Sequence, residues 1–337
     1  MTDARFNADG LVLSERYAQT MNDVVLPWLA ARRANVTMAG EGGKPLFCSR
    51  FDAPDPRGTV LIVHGFTENV DKYVELIHSL LRSGYSVVAY DQRGHGRSWR
   101  DPEIADISLT HVDRFGKYVA DLKAVRDAVL ADMPRPWLMF AHSMGGAVST
   151  LFLEDYPGVF AKAAFCAPMI APNLGGLPTA AARALCGAAG LLGGDRKRIF
   201  ASKPYAGAED FATSCATGRE RFDWYEALRV RVPEFQNNGP TYGWAREAIR
   251  ASEAVLAPGT VERIDIPVRL YTAGNDHAVM PEAQKAFTAR LRDGRRTLVP
   301  GSKHEIYRSK DAVLFPWWRN ILDFFGDAEP INEEVRV

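Results

Sequence analysis

Residues 140–147 have the sequence FAHSMGGA, which places Ser143 between an apolar run and two glycines. A serine that ends a buried strand and opens a helix can occupy a sharp turn at the carboxyl edge of a sheet. Such a turn needs small neighbours, and Ala141 and Gly145 supply them two positions before and after the serine. The usual pattern is G-x-S-x-G, so alanine at the first position is a mild departure. We therefore predict that Ser143 is a nucleophile; the alternative is a helix N-cap serine.

Short apolar runs and segments of helical periodicity alternate along most of the chain. This alternation is typical of a largely parallel sheet that is flanked by helices, so we predict an α/β fold. The predicted strands are 59–65, 85–91, 136–142, 161–168, 266–274 and 295–301. The predicted helices are 71–82, 115–131, 144–155, 281–291 and 310–325. Ser143 follows the third of these strands.

The alternation stops between residues 169 and 255, a region rich in Ala, Gly, Arg and aromatic residues with no convincing buried strand. We interpret this segment as a helical cap inserted into one core domain. The core would then consist of residues 1–168 and 256–337. A chain of 337 residues is long enough for one large domain with a substantial insertion.

A serine hydroxyl needs a base within hydrogen-bond reach and a carboxylate that orients the base. In this type of fold the chain order is serine, acid, histidine. His304 follows the last predicted strand and fits that order, whereas His142 adjoins the serine and would point elsewhere. Asp276 follows the strand 266–274 at its carboxyl end, while Asp265 precedes the strand. We predict a triad of Ser143, Asp276 and His304.

Attack on a carbonyl also needs backbone donors for the oxyanion. The residue after the nucleophile, Met144, supplies one N–H. The second is expected from the segment His64-Gly65-Phe66 after an early strand, where glycine lets the backbone approach the ligand. We therefore predict an oxyanion hole formed by the N–H groups of Phe66 and Met144.

With these elements in order, the chain resembles the α/β-hydrolase family, specifically its bacterial lysophospholipase and monoacylglycerol lipase branch. The resemblance covers roughly residues 45–326. The matching segments are HGFTENVDKYVEL, DQRGHGRS, HVDRFGKYVADL, AHSMGGAVSTLFLEDYPGVF, NNGPTYGWAREAI and GSKHEIYRSKDAV. The resemblance implies an α/β-hydrolase fold, hydrolysis of a fatty-acyl ester or lysophospholipid, and a cap over the site. It does not define the head group.

Aromatic residues of the cap are candidates for lining an acyl pocket, although such residues more often belong to a packed core. The candidates are Trp224, Tyr225, Tyr242 and Trp244. The apolar stretch 174–194 is followed by the basic run 196–198, so the cap could lie against an anionic membrane. Packing of this helix on the core is the equally good alternative.

Composition narrows the function classes further. Lys plus Arg and Asp plus Glu number 41 each, so the net charge is zero and no overall field favours nucleic acid. The four cysteines show no metal-ligand or C-x-x-C spacing, and we expect no metal and no organic cofactor. The N-terminal residues do not resemble a signal peptide, which leads us to expect a cytoplasmic protein with peripheral contact at the inner face of the membrane.

Two other functions remain open at this stage. A serine aminopeptidase of the proline iminopeptidase type could use the same fold if cap carboxylates held a substrate ammonium. The candidates for that role are Glu209, Asp210, Glu220 and Asp223, but arginines crowd the same stretch. A ligand-binding receptor on a hydrolase scaffold is the non-enzymatic alternative.

Overall fold

The computed structural model describes residues 3–326 of the chain. Its strands are β1 Arg33–Ala39, β2 Pro45–Phe51, β3 Thr59–Val63, β4 Ser86–Tyr90, β5 Leu109–Thr110, β6 Trp137–His142, β7 Lys162–Cys166, β8 Gly239–Pro240, β9 Val268–Asn275 and β10 Gly294–Lys303. Its α-helices are α1 Tyr17–Thr20, α2 Leu26–Ala30, α3 Val74–Arg82, α4 Gly116–Val125, α5 Met144–Asp155, α6 Thr179–Leu191, α7 Arg219–Arg231, α8 Tyr242–Val255, α9 Pro281–Thr288 and α10 Asp311–Phe325.

Eight of the strands form one sheet in the order β1-β2-β4-β3-β6-β7-β9-β10. The strands from β4 to β10 are parallel, whereas β1 and β2 are antiparallel to their neighbours. The chain runs from β3 outward to β4 and then crosses to β6 on the other side of β3. Ligands of open parallel sheets bind beyond the carboxyl ends of the strands at such a reversal. The loops after β3 and β6 therefore flank the expected site.

Helices cover both faces of the sheet. The central strands β3 and β6 are buried along their whole length, which explains their nearly continuous apolar sequences. Side chains of α4, α5 and α8 pack on one face, and side chains of α3, α10 and the N-terminal helices pack on the other. Both faces of the sheet thus carry a hydrophobic core that holds the strand ends in fixed positions.

The fold class predicted from the sequence is confirmed, and all six predicted strands are present within a few residues. The predicted helix 115–131 is α4 continued by a π-helical segment, Arg126–Leu130. The prediction omitted β1, β2 and the two-residue strands β5 and β8. Strand β1 is exposed along most of its length, so its sequence lacks the apolar run by which the buried strands were recognised.

The segment interpreted as a cap lies between β7 and β9. It contains α6, α7, α8 and the two-residue strand β8, which pairs with β5 of the core. The boundaries at residues 168 and 256 stay a prediction, and residues 327–337 of the second core piece lie outside the described range. Within residues 3–326, no helix combines the length and apolar character required to cross a membrane.

Candidate active site

Ser143 lies at the turn between β6 and α5 with φ 49° and ψ −119°, an unusual conformation for a residue with a side chain. Backbone hydrogen bonds hold the turn on both sides. The Ser143 N–H donates to the Cys166 carbonyl at 3.1 Å, and the Met169 N–H donates to the Ser143 carbonyl at 2.8 Å. The neighbouring strand β7 and the chain after it thus fix the strained residue in place.

The two glycines after the serine are required by close packing. A Cβ at Gly145 would lie 2.2 Å from the Val63 carbonyl oxygen, and a Cβ at Gly146 would lie 2.4 Å from the Pro168 Cβ. Both distances are far below van der Waals contact. Helix α5 can approach the sheet this closely only because these positions lack side chains. This agrees with the prediction that the turn at Ser143 needs small neighbours.

The structure brings the three predicted triad side chains together. Asp276 follows β9, and His304 follows β10, so both come from the carboxyl edge of the sheet. The His304 Nε2 lies 2.8 Å from the Ser143 Oγ, and its Nδ1 lies 2.8 Å from the Asp276 Oδ2. This is the order of hydroxyl, imidazole and carboxylate that activates a serine.

The Asp276 carboxylate is almost fully enclosed, with a side-chain exposure of 1%. Burial alone would raise its pKa, but the hydrogen bond and charge of His304 and the N–H groups of Ala278 and Val279 outweigh it. The pKa of Asp276 is therefore held below its ordinary value. An ionised carboxylate in this position orients the imidazole and stabilises the imidazolium.

The two predicted oxyanion segments flank Ser143. Met144 is the first residue of α5, and the N–H groups of the first helical turn have no intrahelical acceptor. In the other segment, a Cβ at Gly65 would lie 3.1 Å from the Ser143 Cβ, so the loop after β3 passes directly beside the nucleophile. The roles of the Phe66 and Met144 N–H groups stay predictions.

Hydrogen bonds of the His64 side chain hold the loop after β3 in place. Burial lowers the pKa of its imidazole to about 4, so the ring is neutral near pH 7. Its Nε2 accepts from the Gln92 N–H at 2.9 Å, which leaves Nδ1 to donate to the Gly65 carbonyl at 2.7 Å. These bonds fix the backbone on which the Phe66 N–H is carried.

The four aromatic residues suggested for the acyl pocket lie in different surroundings. Trp244 packs against Phe66 with ring centroids 4.0 Å apart and ring planes tilted by 38°, next to the predicted oxyanion hole. Tyr225 is buried and accepts a hydrogen bond from Asn69, and Tyr242 is half-buried at the start of α8. Trp224 instead donates to Asn22 and packs against Tyr17 of the N-terminal helix. The structure therefore brings Trp244 to the site and directs Trp224 away from it.

Sequence reasoning missed the part played by Glu68 and treated His142 as uninvolved. His142 is buried, its ring centroid is 4.8 Å from that of His304, and its Nδ1 lies 3.1 Å from the Glu68 carboxylate. Glu68 is 74 positions from His142 in the chain, so no local pattern could have revealed the contact. Among residues 3–326, no group of three or more His, Cys, Asp or Glu side chains could hold a metal ion.

The chain is similar in sequence and fold to known hydrolases. Residues 54–311 match the family model described as serine aminopeptidase, S33. Lysophospholipase L2 of Escherichia coli is 34% identical over 92% of both chains. Human monoglyceride lipase is 33% identical over 39% of this chain and 42% of its own. A soluble variant of monoglyceride lipase from Saccharomyces cerevisiae superimposes with a TM-score of 0.67 over 88% of this chain and 96% of its own; at 16% identity it supports the fold alone.

Proposed function

Because the chain belongs to the serine aminopeptidase S33 family of α/β-hydrolases, in its lysophospholipase and monoacylglycerol lipase branch, we propose that it hydrolyses lysophospholipids through an acyl-enzyme on Ser143. The observation that carries the mechanism is the hydrogen-bonded series Ser143, His304, Asp276. Hydrolysis of a lipid ester is the activity common to the relatives. Lysophospholipid is our choice of substrate because the lysophospholipase relative matches nearly the whole chain, whereas the human monoglyceride lipase matches less than half.

In the first step, His304 Nε2 takes the proton of the Ser143 hydroxyl as Oγ bonds to the ester carbonyl carbon. The negative charge that develops on the carbonyl oxygen is stabilised by the N–H groups of Phe66 and Met144. His304 then returns the proton to the leaving alcohol oxygen as the ester bond breaks. The lysophospholipid head group leaves as a glycerophosphoryl alcohol, and the acyl chain stays on Ser143.

In the second step, water attacks the acyl-enzyme. His304 takes a proton from the water as the water oxygen bonds to the acyl carbon, and the carbonyl oxygen becomes an oxyanion for a second time. The bond between the acyl carbon and Ser143 Oγ then breaks, the proton passes from His304 to Oγ, and the fatty acid is released. Asp276 stays ionised throughout and stabilises the imidazolium. The free enzyme is restored without any external oxidant, reductant or metal.

Charge pairing in the cap favours an ester over an aminopeptidase substrate. Residues 208–211 and α7 line a groove of about 600 Å³ that contains several carboxylates. Arg229 lies 2.5 Å from Glu209 and 3.6 Å from Glu226, and Arg219 lies 2.6 Å from Asp223. The two arginines pair with three of the four carboxylates that line the groove, which weakens its attraction for a substrate ammonium.

We also propose that the cap contacts the membrane through an exposed apolar surface. Leu191, Leu192 and Phe200, which we call the cap patch, are 91%, 85% and 76% exposed. The basic run after α6 contributes less than the sequence suggested, because Arg196 pairs with Asp101 and Arg198 pairs with Asp106. Apolar insertion therefore supports membrane contact more than charge does.

A substrate panel tests the proposed function. The purified protein is assayed with lysophosphatidylcholine, lysophosphatidylethanolamine, a monoacylglycerol, p-nitrophenyl butyrate and proline p-nitroanilide, beside Ser143→Ala. We expect the highest kcat/KM with a lysophospholipid and no turnover by the variant. Preferred cleavage of the proline amide would support the aminopeptidase alternative. Wild-type protein that cleaves none of these compounds would support the receptor alternative.

A further inference from the structure

Glu68 belongs to the loop after β3 and is 2% exposed. Its Oε2 accepts from the Gly65 N–H at 2.6 Å, the Tyr73 hydroxyl at 2.5 Å and the His142 Nδ1 at 3.1 Å. Its Oε1 accepts from the Tyr307 hydroxyl at 2.5 Å and the Lys72 ammonium at 3.1 Å. A carboxylate offers about four lone-pair sites, so these donors use its whole capacity.

Three of the donors come from the segments that carry Ser143, His304 and the predicted Phe66 N–H donor. Gly65 precedes Phe66 in the oxyanion loop, His142 precedes Ser143, and Tyr307 follows His304 by three residues. Lys72 extends the connection, because its ammonium also lies 2.6 Å from the carboxylate of Glu305, the residue directly after His304. One side chain thus joins the loops after β3, β6 and β10.

The charges of this cluster reinforce its geometry. Burial would raise the pKa of Glu68, but the charges of Lys72 and His142 outweigh burial and hold the pKa well below its ordinary value. Conversely, burial would lower the pKa of His142, but Glu68 outweighs burial and raises it. A protonated His142 can donate from both ring nitrogens, and its Nε2 lies 3.3 Å from the His304 carbonyl oxygen.

We propose, resting on the function proposed above, that Glu68 is a positioning residue for the hydrolysis. It fixes the loop after β3, which carries the Phe66 N–H, and the loop after β10, which carries His304, in their positions around Ser143. It does not touch substrate. Its effect reaches the reaction through the Gly65 N–H on one side and through His142, Tyr307 and the Lys72–Glu305 pair on the other. Displacement of either loop by about 1 Å is enough to slow an acyl transfer about 10²-fold.

Glu75 provides a matched control for Glu68, because it is also a buried carboxylate with several hydrogen bonds but has only a structural role. Glu75 on α3 is 5% exposed and accepts from the Arg221 guanidinium at 2.9 Å, the Tyr17 hydroxyl at 3.0 Å and the Val12 N–H at 3.1 Å. These partners connect α3 to α7 and to the N-terminal segment. None of them belongs to a segment that carries a predicted reacting group.

The experiment compares Glu68→Gln with Glu75→Gln by thermal melting and by steady-state kinetics on p-nitrophenyl butyrate. Glutamine keeps the size of the side chain but replaces one acceptor oxygen with a donor. We expect both variants to lose thermal stability. Only Glu68→Gln should lose kcat, by about 10²-fold with KM changed less than about twofold, because the transition state depends on loop position more than binding does.

Tyr307→Phe gives a second test that does not depend on the fold of Glu68→Gln. It removes one hydroxyl donor from the cluster, and we expect a fall of about tenfold in kcat at nearly constant KM. Equal kcat values for wild type, Glu68→Gln and Tyr307→Phe would overturn the positioning role. If Glu68→Gln does not fold, an unchanged kcat in Tyr307→Phe alone overturns it. Inactive wild-type protein would instead contradict the proposed function.

Discussion

The Ser143 Oγ and the His304 Nε2 lie 2.8 Å apart, although 161 positions separate the two residues in the chain. Parallel strands bring them together, because β6 and β10 end at the same edge of the sheet and each residue follows directly after its strand. The distance is that of a hydrogen bond between a hydroxyl and an imidazole that can accept its proton.

Asp276→Asn should leave the fold intact and lower kcat on p-nitrophenyl butyrate by about 10⁴-fold, because an amide no longer selects the productive imidazole tautomer or stabilises the imidazolium. Asp265→Asn is the control. Asp265 precedes β9 at the other end of the strand, where it accepts from the Gly158 N–H, and its loss should leave kcat unchanged. A fall of less than tenfold in Asp276→Asn would contradict the role of this carboxylate.

Gly145→Ala should destabilise the protein strongly, because the new Cβ would lie 2.2 Å from the Val63 carbonyl oxygen of the central strand β3. We expect a loss of about 2 to 4 kcal/mol in the free energy of unfolding, measured by urea titration. Gly187→Ala is the matched control on helix α6, where a Cβ meets nothing within 4 Å. That change should be neutral or stabilising by up to about 1 kcal/mol. Equal stability of the two variants would argue against the tight approach of α5 to the sheet.

Glu154 gives a prediction for the pH dependence of stability. Burial raises the pKa of this carboxyl to about 8, and its Oε1 has no hydrogen-bond partner among the described residues. The charged groups around it are Arg263, Asp155, Arg290 and Glu262. Above the ordinary pKa of 4.5 the unfolded chain releases this proton while the folded protein keeps it, so stability falls as pH rises from there toward 8.

Glu154→Gln should remove that slope and stabilise the protein at pH 8 by about 1 to 2 kcal/mol, a figure reduced for partial solvent screening. The measurement is the free energy of unfolding at pH 5 and pH 8. Asp52→Asn, an exposed carboxylate that is not among the charged groups around Glu154, serves as the control and should leave the pH slope as it is in the wild type. An unchanged slope in Glu154→Gln would mean that the carboxyl is ionised in the folded protein.

Replacement of the cap patch by serine, as Leu191→Ser, Leu192→Ser and Phe200→Ser together, should weaken co-sedimentation with phospholipid vesicles at least about tenfold. Turnover of the soluble ester p-nitrophenyl butyrate should stay the same, because the patch is exposed and takes no part in the triad. Val36→Ser on the edge strand β1 is the control for loss of an exposed apolar side chain. Vesicle binding that survives the triple change would contradict the proposed membrane contact.

Sequence reasoning identified those features that short stretches encode. The small residues around Ser143 indicated a sharp turn between a strand and a helix. Asp276 and His304 could be predicted because each follows the end of a predicted strand. The Glu68 cluster could not be found in this way, because its partners lie as far as 239 positions along the chain and meet only after the sheet has formed. The surroundings of Trp224 could not be predicted either, because aromatic residues occur at the same sequence spacings in a core, at a surface contact and in a pocket.

Covalent labelling of Ser143 tests the central claim most directly. The wild-type protein and Ser143→Ala are incubated with a fluorophosphonate, and the adduct is located by peptide mass spectrometry. We predict one adduct, on the peptide that contains Ser143, with loss of ester turnover in proportion to labelling and no adduct in the variant. An adduct on another residue, or full esterase activity in Ser143→Ala, would contradict the assignment of Ser143 as the nucleophile.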